Sequence, residues 1–239
     1  MQELLLTNGT IIAIGFGIIL AILHWFSYKI SPIFLKKHLP IKSFSAGLLI
    51  TMIILTILPE IYLGQNIIGE QIFTLMLLGF IGIHILEKYF YQHITNKNKL
   101  IQELAELHTI GFFLNHFILG MLLFVTTTIN KIEIGIIIFI PFLLHTITSS
   151  LSLTHLDEYY ENKKISLLLA ISPLLGVITT ALLNLELTNI YLIFGFGAGI
   201  LMYVGIRDMI PQGKKGNSIA FILGVIVYIA ILIIMKATK

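Results

Sequence analysis

The feature that most constrains this chain is its division into long apolar runs. A helix needs about 20 mostly apolar residues to cross a hydrocarbon core about 30 Å thick. Eight runs of that length can be read: Thr10–Tyr28, Phe44–Leu63, Ile72–Gln92, Thr109–Ile129, Ile134–Thr154, Ile165–Leu185, Asn189–Met209 and Ser218–Met235. They are continuous rather than alternating, the pattern of helices and not of barrel strands. Inside lipid, a helix also satisfies all its backbone hydrogen bonds within its own segment. Only 11% of the residues are charged and the mean hydropathy is +0.97, whereas a soluble domain carries about a quarter charged residues. The chain cannot cover a water-facing surface. That excludes a soluble enzyme, and the same figures exclude disorder. The expected fold is an all-α membrane protein, a single transmembrane domain over residues 1–239.

Charge placement gives the expected orientation. Twelve of the fifteen Lys and Arg lie near the ends of spans one, three, five and seven or in the connections after them, and only Lys131, Lys236 and Lys239 lie on the other side. Cations accumulate on the cytoplasmic face, so both termini are expected to be non-cytoplasmic, in a plasma (inner) membrane. The first run has no cation before Lys29 and no small-residue cleavage site after its core, so it reads as a retained span. The net charge of +3 is scattered among apolar segments, which argues against a nucleic-acid partner. The partner this pattern implies is the lipid bilayer. With no cysteine, disulfides, thiolate metal ligands and thiol nucleophiles are excluded.

A short pattern occurs twice. Span two holds Ala46-Gly47, eleven residues, then Pro59-Glu60; span seven holds Ala198-Gly199, eleven residues, then Pro211-Gln212. The two spans are an odd number of crossings apart, so the copies run in opposite directions, as in inverted-repeat transporters. The expected architecture is an inverted repeat of the first and last three helices around a central helix pair.

Ionisable groups at bilayer depth are costly and mark candidate sites. Ten of the twelve acids lie in connections or at span ends; Glu87 lies in the cytoplasmic third of span three and Asp208 at the end of span seven. No carboxylate falls near the midplane. Histidines do: His145 is central in span five and Asn115-His116 nearly so in span four. Along span five, His145, Thr148, Ser149 and Ser152 follow helical spacing, and on span four His108 and Asn115 share a face. Spans four and five are antiparallel neighbours, so these groups form a polar seam. Such a seam serves either as helix-helix glue or as ligands along a pathway. A second group near the cytoplasmic ends (His84, Glu87, His108, His155, Asp157 and Glu158) reads as interfacial polarity or as an ion exit.

At these residues the chain resembles the ZIP family of divalent metal-ion (zinc/iron) transporters. The likeness covers nearly the whole chain and rests on four segments. Span two, Ala46 to Glu60, is similar to the family's Ala-Gly helix ending in Leu-Pro-Glu. Span three, Gly79-Phe80 through Glu87-Lys88, resembles its Gly-Phe…Glu-Lys helix. Ser172-Pro173-Leu174-Leu175-Gly176 resembles its Ser-Pro-Leu-Gly turn. Span seven, Ala198-Gly199…Tyr203-Val204…Asp208-Met209-Ile210-Pro211, is the best match.

The metal motifs are where the chain departs. ZIP span four reads His-Asn/Ser-x-x-Glu-Gly; aligned on Gly120, Asn115 takes the His position, His116 the next and Leu119 the bridging Glu. ZIP span five reads His-Lys-x-x-Glu-Gly; His145 matches, Thr146 follows, and Ser149 and Ser150 replace Glu-Gly. Ser172 stands where some members place an acid, and Thr56 where a His often precedes the span-two Pro.

The resemblance implies a metal site of His145, His116, Asn115 and Ser149, whose cargo is a zinc- or iron-class divalent ion moving toward the cytoplasm, with no resident cofactor. All four donors are neutral, so a dication there needs several waters and a hydrated cavity. The competing expectation is a non-transporting ZIP-like protein acting as partner or regulator of another membrane protein. A solvated seam favours the first and a close-packed one filled by Leu119 the second. An enzyme is not expected: there is no His-Glu-x-x-His, and neither Ser149 nor Ser150 sits in a nucleophile turn. Small residues at Gly15-Phe16-Gly17 and at Gly195 through Gly199 admit close helix packing, within one chain or across a homodimer.

Overall fold

The structure, a computed structural model, describes residues 8–34, 38–130, 132–153, 163–183, 186–210 and 216–237. All the regular elements among the described residues are helical, and they form eight helices. Helix α1 is Asn8–Phe34. Helix α2 runs from His38–Met52 through a π-helical stretch Ile53–Ile57 to Leu58–Ile68. Helix α3 is Gln71–His93. Helix α4 is Lys97–Val125, ending in a π-helical turn Thr126–Asn130. Helices α5 and α6 are Ile132–Leu153 and Lys163–Leu183. Helix α7 is Leu187–Val204, continued by a π-helical stretch Gly205–Met209. Helix α8 is Ser218–Ala237. Each of the eight apolar runs, over its described residues, falls on one of these helices. Six of the helices are long and apolar enough to cross a membrane; Ile132–Ile147 in α5 and Ser218–Ile234 in α8 are shorter apolar stretches.

The ends follow local chemistry. Between α2 and α3 only Gly69 and Glu70 intervene. Gly69 has φ +68°, a conformation that L side chains rarely adopt, and its N–H closes on the Gln65 carbonyl at 2.8 Å. Asn96 caps α4 by accepting the Lys99 N–H at 3.1 Å. Asn217 caps α8 by accepting the Ala220 N–H at 2.9 Å. Each cap satisfies an amide that helix geometry leaves open.

Two sets of helices pack most extensively among themselves: α2 with α8 and α3 with α7, and α1 with α6 and α5, α4 with α6. Paired glycines let the backbones of facing helices touch. A Cβ on Gly47 would collide with the Phe221 carbonyl of α8, and one on Gly224 with the Phe44 carbonyl of α2. The same holds for Gly79 against Phe196 and Gly199 against Met76, which join α3 to α7. Gly120 against Pro173 and Gly176 against Phe117 join α4 to α6 in the same way. In lipid, where burial of apolar area drives little association, such small-residue contacts hold helices together. The two Ala-Gly copies match further: the π-helical stretches of α2 and α7 each begin six residues after the glycine, at Ile53 and Gly205.

A continuous buried core runs through the middle, with Leu48, Met52, Ile57, Leu119, Leu123, Ile138, Phe142 and Tyr228 among its best-enclosed members. The outer faces carry exposed large apolar side chains, among them Ile18, Ile22, Leu77, Ile85, Leu182, Ile226 and Ile233. A surface of that kind faces hydrocarbon, and the chain is an integral helical membrane protein in contact with the lipid bilayer. The Gly-rich runs act within the chain where they pack at all. Gly17 faces Leu174 of α6 and Gly197 faces Ile118 of α4, whereas Gly15 faces open space.

Candidate functional site

Most buried hydroxyls in the bundle satisfy themselves. Thr51, Thr126, Thr127 and Thr180 donate to the carbonyl four residues back, and Ser172 to the one three back. This is the ordinary resting state of Ser and Thr in an apolar helix, and it gives Ser172 a structural partner in Leu169 at 2.7 Å. Thr56 is different: its hydroxyl meets Tyr228 Oη across helices at 2.7 Å.

The buried imidazoles and amide of α4 and α5 behave otherwise. Asn115 Nδ2 donates to His145 Nε2 at 3.0 Å. That nitrogen therefore offers a lone pair, and in a neutral ring the proton sits on Nδ1. His116 donates from Nδ1 to its own Phe112 carbonyl at 3.0 Å. Its Nε2 is then the lone-pair nitrogen, and it is buried without a hydrogen-bond partner among the described residues. A ring held by one N–H on a carbonyl, with the other nitrogen bare, is the arrangement of a metal-ligating histidine. The His116 and His145 rings lie 5.4 Å apart and nearly parallel, and both residues are fully buried.

Three of the four candidate ligands read from the sequence, His145, His116 and Asn115, are thus brought together. The fourth, Ser149, lies on α5, but its side chain is outside the described residues, as are those of Thr148, Ser150, Ser152 and His108. His155, Asp157 and Glu158 also lie outside them.

Sequence reasoning passed over His24. It sits on α1, 4% exposed, with its ring 6.0 Å from His116 and 5.0 Å from Phe112. Phe112 in turn stacks on His116 at 3.9 Å. The imidazoles form a row, His24 then His116 then His145, with His116 in the middle. The available signal was an ionisable residue inside the first apolar run. Among the described residues, no three His, Cys, Asp or Glu side chains converge on one point where they could hold a metal ion.

Leu119, aligned with the bridging-Glu position, is 2% exposed and packs in the main core with Leu123 and Phe142.

A second polar site joins α3 and α7. Glu87 is 6% exposed. Its Oε2 accepts the Tyr203 hydroxyl at 2.5 Å and its Oε1 the Arg207 guanidinium at 2.6 Å. Sequence reading placed Arg207 among the loop cations, but it reaches back to Glu87; His84, grouped with Glu87 in the sequence, is exposed and has its ring 5.9 Å from that of Tyr203. Both carboxylate oxygens are engaged, so this group is a helix tie rather than an open ligand.

The chain matches no protein-family model and no curated protein.

Proposed function

We propose that the chain is a ZIP-like membrane transporter that moves a zinc- or iron-class divalent cation toward the cytoplasm, with its eight helices forming an inverted repeat. The observation that carries this reading is the burial of Asn115, His116 and His145 together in an apolar bundle, with His116 Nε2 left without a hydrogen-bond partner among the described residues. Packing alone would be served better by leucine. The repeat reading is supported by the twice-occurring spacing of Ala-Gly, π-helical stretch and Pro, and by the matching glycine pairs of α2 with α8 and α3 with α7. The lysine-rich connections support the orientation.

Neutral donors set the character of transport. Imidazole suits zinc, iron and copper alike, but it brings no charge to offset a dication in a dry interior. The cargo keeps part of its water shell and is held weakly. Weak holding favours release, which a permeation site requires.

The packing of Leu119 favours a second reading: a ZIP-fold protein that no longer transports and acts on another membrane protein. Uptake into liposomes containing the purified protein separates the two. Zn2+, Fe2+, Mn2+ and Cd2+ are supplied in turn, with His145→Ala as control. The transporter reading expects flux that falls at least about tenfold in the variant. Absence of flux for all four ions, from protein shown to be folded, leaves the second reading.

A further inference from the structure

We propose that His24 of α1 is a ligand for the same cargo, pairing with His116 to make a second two-imidazole stop beside the His116/His145 pair. This rests on the transporter reading above.

Three observations point to it. His24 is buried on a helix whose nearer inward positions are Ala13, Gly17 and Leu20, and an ionisable side chain at bilayer depth marks a candidate site. Its ring stands 6.0 Å from His116, close to the 5.4 Å between His116 and His145. Two imidazoles bonded to one metal ion at about 2.0–2.1 Å hold their ring centres on the order of 5–6 Å apart. Finally, the nitrogen common to both pairs, His116 Nε2, has no hydrogen-bond partner among the described residues, while Nδ1 is fixed on the Phe112 carbonyl.

The absence of a three-ligand convergence among the described residues then has a functional sense. A cation is gripped by two imidazoles at a time, and His116 takes part in both grips. Ligand exchange at His116 carries the ion between α1 and α5 without ever passing through a tight site. Phe112 sets the geometry, since its ring touches both His24 and His116.

The test is equilibrium Zn2+ binding to the purified full-length protein, by metal content after dialysis, with Co2+ absorption as a report of nitrogen ligation. His24→Phe keeps the ring against Phe112 and deletes both nitrogens; His24→Gln serves if His24→Phe does not fold. The expected result is a fall in Zn2+ affinity of about tenfold or more and a changed Co2+ spectrum, with the fold intact. Wild-type binding and an unchanged spectrum in the folded variant would overturn the proposal while leaving the transporter reading in place. A wild-type protein that neither binds Zn2+ nor moves it overturns both.

Discussion

The α2/α8 and α3/α7 pairs are built to one plan and filled differently. Each is closed by two reciprocal glycines, and each contains a helix with a π-helical stretch six residues past its glycine. Each is also tied by a tyrosine hydroxyl. In α2/α8 the tie is neutral, Thr56 to Tyr228. In α3/α7 it is ionic, Tyr203 and Arg207 on Glu87. The shared part is the backbone approach; the differing part is the side chains laid over it. Helix approach is therefore set by the glycines, and the polar tie can change from hydroxyl to carboxylate without altering it. The charged version sits at the lysine-rich end, where the Arg207 side chain stays 39% exposed and partly hydrated.

The comparison can be broken most forcefully at its charged end. Glu87→Ala leaves a buried hydroxyl and a guanidinium without their acceptor. Removing one partner of a fully buried pair costs about 3–5 kcal/mol; with Arg207 partly exposed, the expected loss is roughly 2–3 kcal/mol, read from unfolding in detergent. A smaller effect is expected from Gly199→Ala, which presses a methyl group onto the Met76 carbonyl. Overpacking of this kind costs about 1–3 kcal/mol. Gly47→Ala should cost about the same if the glycines are the common element; a large disparity between the two would break the equivalence. Smallest is Tyr228→Phe, which removes one hydrogen bond within the membrane. Interhelical bonds there average about 0.6 kcal/mol, so unfolding should shift by less than about 1 kcal/mol.

How much of this could be read beforehand depends on what hydropathy encodes. Apolar run length locates helices, and the eight runs from Thr10–Tyr28 to Ser218–Met235, over their described residues, each fall on a helix. The proximity of Asn115 to His145 also followed, because spans four and five are adjacent in sequence and antiparallel. His24 and the Glu87 to Arg207 bond did not follow. Both join helices distant in the chain, and their contacts depend on the rotation of each helix about its own axis. Strongly apolar helices carry almost no signal for that rotation, since lipid and core accept the same residues. The π-helical stretches were invisible for a related reason: Ile53–Ile57 and Gly205–Met209 have only isoleucine in common. Their common distances from a preceding glycine and a following proline link them.

The two-residue link at Gly69 and Glu70 bears on how the chain is made. Between Lys42 and Lys88 there is no Lys or Arg; the charges are Glu60, Glu70 and Glu87, and only the first two lie near the turn. Acidic residues contribute little to the barrier against translocation, whereas basic ones are retained. On the proposed orientation, helices α2 and α3 enter the bilayer together as a hairpin folded back at the glycine, its tip crossing without dragging a cation through the hydrocarbon.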